Sequence, residues 1–493
     1  MLRPRRVPLD ITLDPQSVQP LYLQIANAVT QEIERGRLSA GDYLPSTRAL
    51  ADALAVNRKT IVLAFEELVA QGWIETSGTS GTQVSAILPV RPASSRPDKK
   101  ADTEKTASPQ AGFRYIAPPA RALAVLEDHG VKLDEGSPDG RLFPADVLAR
   151  AYRGALSKVS RYNRLSYADP RGSASLRQTI ATMLKTERGL PVNAENICIT
   201  RGSQHGIFLA AMTLIRPGDI VVVEELTYEP AVMAFQALGA DIRTIGLDGD
   251  GADVTALEAL CATQRIAFVF LTPHHQFPTT VSLHPDRRLK VIELARRYGF
   301  AILEDDYDHE FHFESQPLLP MASYAPESVI YVGSLSKLAI PALRLGYVVA
   351  PAAVIEALAH HVSIVDGMGN IVTEEAVGAL IEEGELRRHA RKAARLYAER
   401  RDAFALALTE EFGSSITFIP PKGGLAFWLR FADTTILDRI ERNAAALALR
   451  FAGSDSYKAR PEAPRGLRIG FASMNAEKTR HALRLLKQAS RLP

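Results

Sequence analysis

Residues 331–351 read YVGSLSKLAIPALRLGYVVAP. Lys337 stands in a loop, three residues after Ser334. Arg344 follows one short loop later, and LGYVVA then resumes a strand-like apolar run. Lysine, hydroxyls and arginine at this spacing suit one chemistry, an imine to an aldehyde cofactor whose phosphate is held nearby. Lys337 would carry the imine, with Ser334, Ser336 and Arg344 around the phosphate. The plain alternative is a surface turn with a solvated lysine, and the segments around it argue against that.

Working outward, strand-like runs alternate with helical stretches. NICIT (196–200), IVVVE (220–224), AFVFLT (267–272), AILE (301–304) and VIYV (329–332) are the strands, and 286–298 is one of the helices. This alternation predicts an α/β domain with a mostly parallel sheet. From about His361 come long charged helices, strands at 425–430 and 467–471, and a last helix at 476–490, which predicts a smaller α+β domain. Gly202, Ser203 and Gln204 follow NICIT at a helix start, where backbone N–H groups favour a phosphate. AILEDDYDHEF puts acids at a strand's C-terminal end, the usual ligand edge of a parallel sheet. His309 and His312 in HEFH lack the i, i+4 spacing of a zinc helix, so no metal is expected.

The chain of 493 residues is long enough for more than one domain. The stretch LPVRPASSRPDKKADTEKTASPQ has four prolines and no apolar periodicity, which reads as a linker. The resulting division is a compact unit over 12–86, a linker over 87–127 and a large domain over 128–493. In the first unit Leu21, Ile25, Val29 and Ile33 recur every four residues, as in an amphipathic helix. Ser46 can cap a second helix, STRALADAL. A third runs from about Arg58 to Gln71 with Ile61, Phe65 and Leu68 inward, and GWIETSGTSGTQVS reads as a hairpin. Three helices and a hairpin make a winged helix-turn-helix. Asn57, Arg58, Lys59 and Thr60 at the third helix start, with Ser46, Thr47 and Arg48 at the second, are placed to meet double-stranded DNA. The Gly78–Gly81 tip is small enough to approach a groove. Residues 1–85 carry eight Lys/Arg against nine Asp/Glu, so the basic residues matter by position and not by number. The alternative for this unit is a protein-contact module.

The totals are those of a water-soluble chain: 46% hydrophobic, 23% charged, formal net charge +2. Cys198 and Cys261 stand alone, and no apolar run reaches membrane-spanning length, so a cytoplasmic protein with no membrane partner is expected.

The segment PLYLQIANAVTQEIERGRLSAGDYLPSTRALADALAVNRKTIVLAFEELVAQGWIE resembles the GntR-type winged helix over nearly its whole length. The large domain resembles fold-type I pyridoxal-phosphate enzymes of the aminotransferase group. That resemblance rests on TRGSQHGIFLAAM, VVVEELTYEP, AILEDDYDHEF, the SLSK segment and GLRIGFAS in chain order. It implies pyridoxal 5'-phosphate on Lys337, with Tyr228 stacked on the ring and Asp305, chosen over a solvated Asp306 by family spacing, at the ring nitrogen. It further implies Tyr307 at the ring hydroxyl, Arg468 on a substrate or effector carboxylate, and Tyr167 reaching the neighbouring subunit's phosphate in a homodimer. TPHHQFPTT departs from the family's Asn-Pro-Thr-Gly turn, with Phe277 where the asparagine is expected. His275 and Gln276 are the alternative substitutes.

A winged helix, a linker and such a domain in one chain is the arrangement of MocR/GabR regulators. The fold expected is therefore multi-domain: an α+β winged helix-turn-helix, then an α/β fold-type I domain with a smaller C-terminal α+β part. The resemblance implies a transcriptional regulator that senses a small amino-group effector, or pyridoxal phosphate itself. The alternative is an active aminotransferase passing an amino group from an amino acid to a 2-oxo acid. The sequence names neither effector nor operator.

Overall fold

The computed structural model describes residues 7–77, 81–89, 112–114, 130–314, 318–338 and 340–493. The chain forms two compact units, Met1–Ala122 and Leu123–Pro493. Most of the 87–127 linker, and the hairpin tip apart from Gly81, lie outside the described residues.

The smaller unit has helices Leu21–Glu34, Thr47–Leu54 and Arg58–Ala70, followed by an antiparallel hairpin of Ile74–Ser77 and Gly81–Val84. Ile25, Val29 and Ile33 of the first helix pack with Ile61, Phe65 and Leu68 of the third, and Trp73 and Val84 of the wing close the same core. Burying each such side chain contributes about 1.5–3 kcal/mol, which offsets the ordering of a unit this small. Ser46 ends one chain direction and starts the next: its hydroxyl accepts from Ala49 N at 3.2 Å. Asn57 does the same for the third helix, accepting from Lys59 N at 2.8 Å.

The larger unit is built on a seven-stranded sheet. Its order is Ile197–Thr200, Gly346–Val349, Val329–Ser334, Ala301–Asp306, Ile266–Leu271, Ile220–Glu224 and Asp241–Ile245. All neighbouring pairs are parallel except those of Gly346–Val349, which runs antiparallel to both its neighbours. The two faces are covered by different apolar layers. Leu303 joins Phe235, Phe268 and Ile355 on one face, while Ile302 joins Leu176, Val291 and Tyr331 on the other. By the two-residue period of a strand, Asp305 ends on the first face and Asp306 on the second.

A three-stranded antiparallel sheet, Ile416–Thr417, Ala426–Phe431 and Leu467–Gly470, forms the smaller part of this unit. The long helix Glu385–Phe412 and the last helix Ala476–Arg491 pack on it around Phe404, Phe427 and Phe471. Arg468 is carried into the unit's interior by the strand Leu467–Gly470.

Candidate functional site

The lysine loop connects the strands Val329–Ser334 and Gly346–Val349 and is tied across its neck. Leu335 N and Ser336 N both donate to Leu345 O, at 3.0 and 3.1 Å. The Ser336 hydroxyl donates to Leu345 O at 3.1 Å and accepts from Leu345 N at 3.0 Å. A hydroxyl has one donor, and here it is engaged. Ser336 therefore braces the loop, contrary to the expectation that it holds the phosphate. Ser334 is buried at the strand's end.

Lys337 places Nζ 4.1 Å from the centre of the Tyr307 ring. Desolvation lowers its pKa; Asp308 opposes the shift, Arg468 adds to it and Asp305 opposes it. Asp305 is 4% exposed, and its Oδ1 is buried with no hydrogen-bond partner. Burial pushes its carboxyl up to about 7 against the pull of Lys337. A buried carboxylate oxygen left unpaired is costly, and it fits a ligand that presents an N–H. The residues at this position thus fit a protonated pyridine nitrogen.

The anion end is assembled from two segments. Gly202 adopts φ +81° and leads into the helix Ser203–Leu214. The Arg344 guanidinium lies over it, so close that a Cβ on Gly202 would fall 3.2 Å from Nη1. Arg344 also donates to Arg201 O at 3.0 Å. Ser203 and Gln204 are half-buried at the helix start. The Gln204 amide nitrogen is turned to Pro230 O at 2.9 Å, leaving its backbone N–H for an anion. Gly346 permits this approach of strand and turn: a Cβ there would meet Gly202 C at 2.8 Å and Gly333 O at 2.9 Å.

Tyr228 begins the helix Glu229–Ala237 and packs edge-on against Phe277, with ring centres 5.3 Å apart. Burial, helped by the Asp305 charge, pushes its hydroxyl up to about 12. The Tyr307 hydroxyl donates to His275 O at 2.9 Å and accepts from Arg468 Nη2 at 3.2 Å. Arg468 is 1% exposed, donates to Glu135 O at 2.7 Å and to Pro278 O at 2.9 Å, and lies 4.7 Å from the Phe277 ring centre. Its hydrogen-bond partners are therefore neutral acceptors, and no ion pair among the described residues includes it. Tyr167 is 93% exposed.

Of the two candidate substitutes for the family asparagine, Gln276 is fully engaged, and His275 is engaged through one ring nitrogen. Gln276 Nε2 is engaged with Glu224, Leu226 O and Phe277 O, and its Oε1 accepts from Thr279. His275 Nδ1 pairs with Asp308 Oδ1 at 2.7 Å. Asp306 is also corrected: it is 2% exposed and takes a hydrogen bond from Tyr331 Oη at 2.5 Å, with Arg188 at 3.6 Å. Sequence reasoning missed Glu135 altogether. Burial raises its pKa, opposed by Arg468, the Tyr457 hydroxyl and Lys337, so it borders the same pocket. A single glutamate in LDEGSPDG carries no motif that would have flagged it.

In the smaller unit Ser46, Arg48, Asn57, Arg58 and Lys59 are exposed, and Thr47 and Thr60 are half-exposed. Arg58 Nε donates to Thr47 Oγ1 at 3.4 Å, which brings the two helix starts together. Asn57 is a cap and not a helix residue, so its amide oxygen is already engaged by Lys59 N.

Comparison with known proteins follows the two-unit division. Residues 21–84 match the bacterial regulatory proteins of the gntR family, and residues 128–486 match aminotransferase class I and II. The chain is 26% identical to the probable rhizopine catabolism regulatory protein MocR of Rhizobium meliloti, covering 97% of this chain and 95% of that protein. It is 33% identical to the HTH-type transcriptional regulator TauR of Rhodobacter capsulatus, over 70% of this chain and 71% of the relative. Among solved structures, LysN, the α-aminoadipate aminotransferase of Thermus thermophilus complexed with N-(5'-phosphopyridoxyl)-L-leucine, superposes with a TM-score of 0.68. It shares 26% identity and covers 73% of this chain and 92% of its own. With a winged helix of the DNA-binding gntR type and an aminotransferase-like unit from a pyridoxal-phosphate-dependent fold family in one polypeptide, the chain belongs to the MocR/GabR type of transcriptional regulators.

Proposed function

We propose that this regulator holds pyridoxal 5'-phosphate at Lys337 and reads an amino acid or related amine in the same pocket. The observation that carries the reading is the buried, unpartnered Asp305 Oδ1 in the pocket of a lysine whose pKa desolvation lowers. The cofactor supplies an aldehyde to which amines add reversibly, and an electron-poor ring. The chain's own residues do the rest. Asp305 presents an acceptor to the ring N–H. Tyr228 and Phe277 wall the pocket with apolar surface. Gly202, Ser203 and Arg344 orient the phosphate. Desolvation keeps a fraction of Lys337 as a free amine, ready to exchange with an incoming one. Arg468, whose hydrogen bonds go only to neutral acceptors, is suited to an effector carboxylate, where its fork geometry bonds through two parallel N–H groups.

In this reading the chain works as a homodimer, with Tyr167 reaching the other subunit's site. The 87–127 linker sets the reach of two winged helices over operator half-sites without fixing their orientation. An effector alters DNA binding only if it favours one arrangement of the dimer over another. The second reading, an active aminotransferase, is favoured by the joint presence of Lys337, Asp305 and Arg468. Phe277, which brings no polar group to the ring hydroxyl, speaks against it.

The test is spectroscopic and functional together. The full chain with pyridoxal phosphate should absorb in the visible, and Lys337→Ala should lose that band while still binding operator DNA. An unchanged band in the variant would move the cofactor to another lysine. Steady conversion of a 2-oxo acid to an amino acid, with no effect of the amine on DNA footprints, would favour the enzyme reading.

A further inference from the structure

On the face of the sheet away from Asp305, the chain gathers buried histidines that neither the cofactor pocket nor the winged helix uses. His274, Asp306 and His309 are 4%, 2% and 7% exposed. One ligand atom from each falls within 4.8 Å of the others. We propose that these three residues bind a divalent transition-metal ion of the zinc class.

The far nitrogen of His274, Nε2, is hydrogen-bonded to the carbonyl oxygen of Leu318, so Nε2 carries the hydrogen. In the neutral ring Nδ1 then presents a lone pair. It faces Asp306 Oδ1 at 3.4 Å, and both atoms are buried without a hydrogen-bond partner. Two acceptors facing each other in a dry interior repel unless a cation lies between them. His309 Nδ1 is 2.9 Å from Asp306 Oδ2, at ion-pair distance but out of line for a hydrogen bond. Ligand atoms about 2.0–2.2 Å from a tetrahedral ion stand about 3.3 Å apart, close to the separation of His274 and Asp306. A carbonyl on the distal nitrogen of a ligating histidine is the usual outer support of such a site.

Asp306 and Glu310 both face Arg188, and the buried Arg288 guanidinium also lies within electrostatic reach of Asp306. Tyr331 donates to Asp306 Oδ2, which leaves Oδ1 as the free oxygen. His312 flanks the trio, with ring centres 5.7 Å from His309 and 6.1 Å from His274, and its Nε2 is also buried and unpartnered. It would supply the fourth ligand, and the third nitrogen, of a tetrahedral ion. Imidazole with one carboxylate selects zinc, cobalt, nickel or copper over magnesium and calcium. The ligands come from the strand end and the two loops next to Tyr307 and Phe277, so an ion here would fasten the wall of the cofactor pocket from behind.

The full-length, tag-free chain, stripped with a chelator and dialysed, is titrated with zinc and with cobalt. Expected are one ion per chain by elemental analysis and visible cobalt bands of a tetrahedral nitrogen-oxygen site. His309→Gln should weaken binding by at least the roughly tenfold to hundredfold seen when a metal site loses an outer partner. His274→Asn should do the same. The control variant removes His360 and His361, an unrelated neighbouring pair; it should bind as the parent does. Circular dichroism identifies a variant that fails to fold, and the parent's own stoichiometry and cobalt spectrum then decide. Substoichiometric uptake, octahedral cobalt bands, or uptake lost with His360 and His361 in place of His309 would overturn the assignment.

Discussion

Replacing Asp305 by asparagine should make the cofactor-free protein more stable and the cofactor-bound protein weaker. Burial raises the Asp305 pKa from 3.8 to about 7. Between those values the folded chain holds a proton that the unfolded chain has released. Stability therefore falls as pH rises through this window and stays lowered above it. A rise of about 3 units corresponds to about 4 kcal/mol. Asparagine has no proton to lose, but it also removes a charge that Lys337 uses, so about 2–4 kcal/mol is the expected net gain at pH 8. Near pH 4 the difference should shrink to under about 1 kcal/mol, because folded Asp305 is neutral there and the unfolded aspartate is only about half ionised. Urea titration of the stripped protein at both pH values measures this, using the transition that pyridoxal phosphate shifts. Pyridoxal phosphate itself should bind about 10–100-fold more weakly to the variant, for loss of a charge-assisted hydrogen bond. Equal stability of parent and variant at pH 8 would refute the claim that Asp305 is held ready at a cost to the fold.

Three further outcomes are expected. Arg48→Ala and Arg58→Ala should each weaken operator binding, by about 1–3 kcal/mol where a base contact is lost, with the cofactor absorbance untouched; gel-shift titration at fixed salt checks both. Arg468→Lys should leave effector-free DNA affinity in place and raise the effector concentration needed to change a footprint, by tenfold or more on the order of a lost bidentate pair. Gly346→Ala should lower the melting temperature and the cofactor affinity together, because its Cβ would meet backbone atoms of Gly202 and Gly333 that have nowhere to move; overpacking of this kind costs about 1–3 kcal/mol or more.

Helices of the winged unit were readable because Ile25, Val29, Ile33, Ile61, Phe65 and Leu68 mark one face at helical spacing, and the structure buries all six. The α/β layout was readable from apolar runs such as IVVVE, which is the strand Ile220–Glu224. Strand direction was not: nothing in GYVV states that it runs against its neighbours, since that depends on the short connection closed by Leu345. Local order gave Lys337, Asp305 and Arg468 as candidates. It could not give the bracing role of Ser336, which depends on a backbone nine residues away. Nor could it give Glu135, which meets Arg468 across 333 residues. Along the chain the histidines stand as HEFH, a spacing that fits no metal helix. In space they meet His274, because the strands Ile266–Leu271 and Ala301–Asp306 lie side by side and in parallel.

Asp305 and Asp306 are chain neighbours that serve opposite sides of one strand, and this limits how the gene can vary. A substitution within Ala301–Asp306 alters one side chain. Loss or gain of a single codon there would slide the strand by one residue and exchange every side chain between the two faces. The aspartate on the lysine's side would be delivered to the histidines, and its neighbour to the lysine. Length, more than composition, is what this segment must keep, and codon deletions here should be lethal to function even where the lost residue is only an alanine.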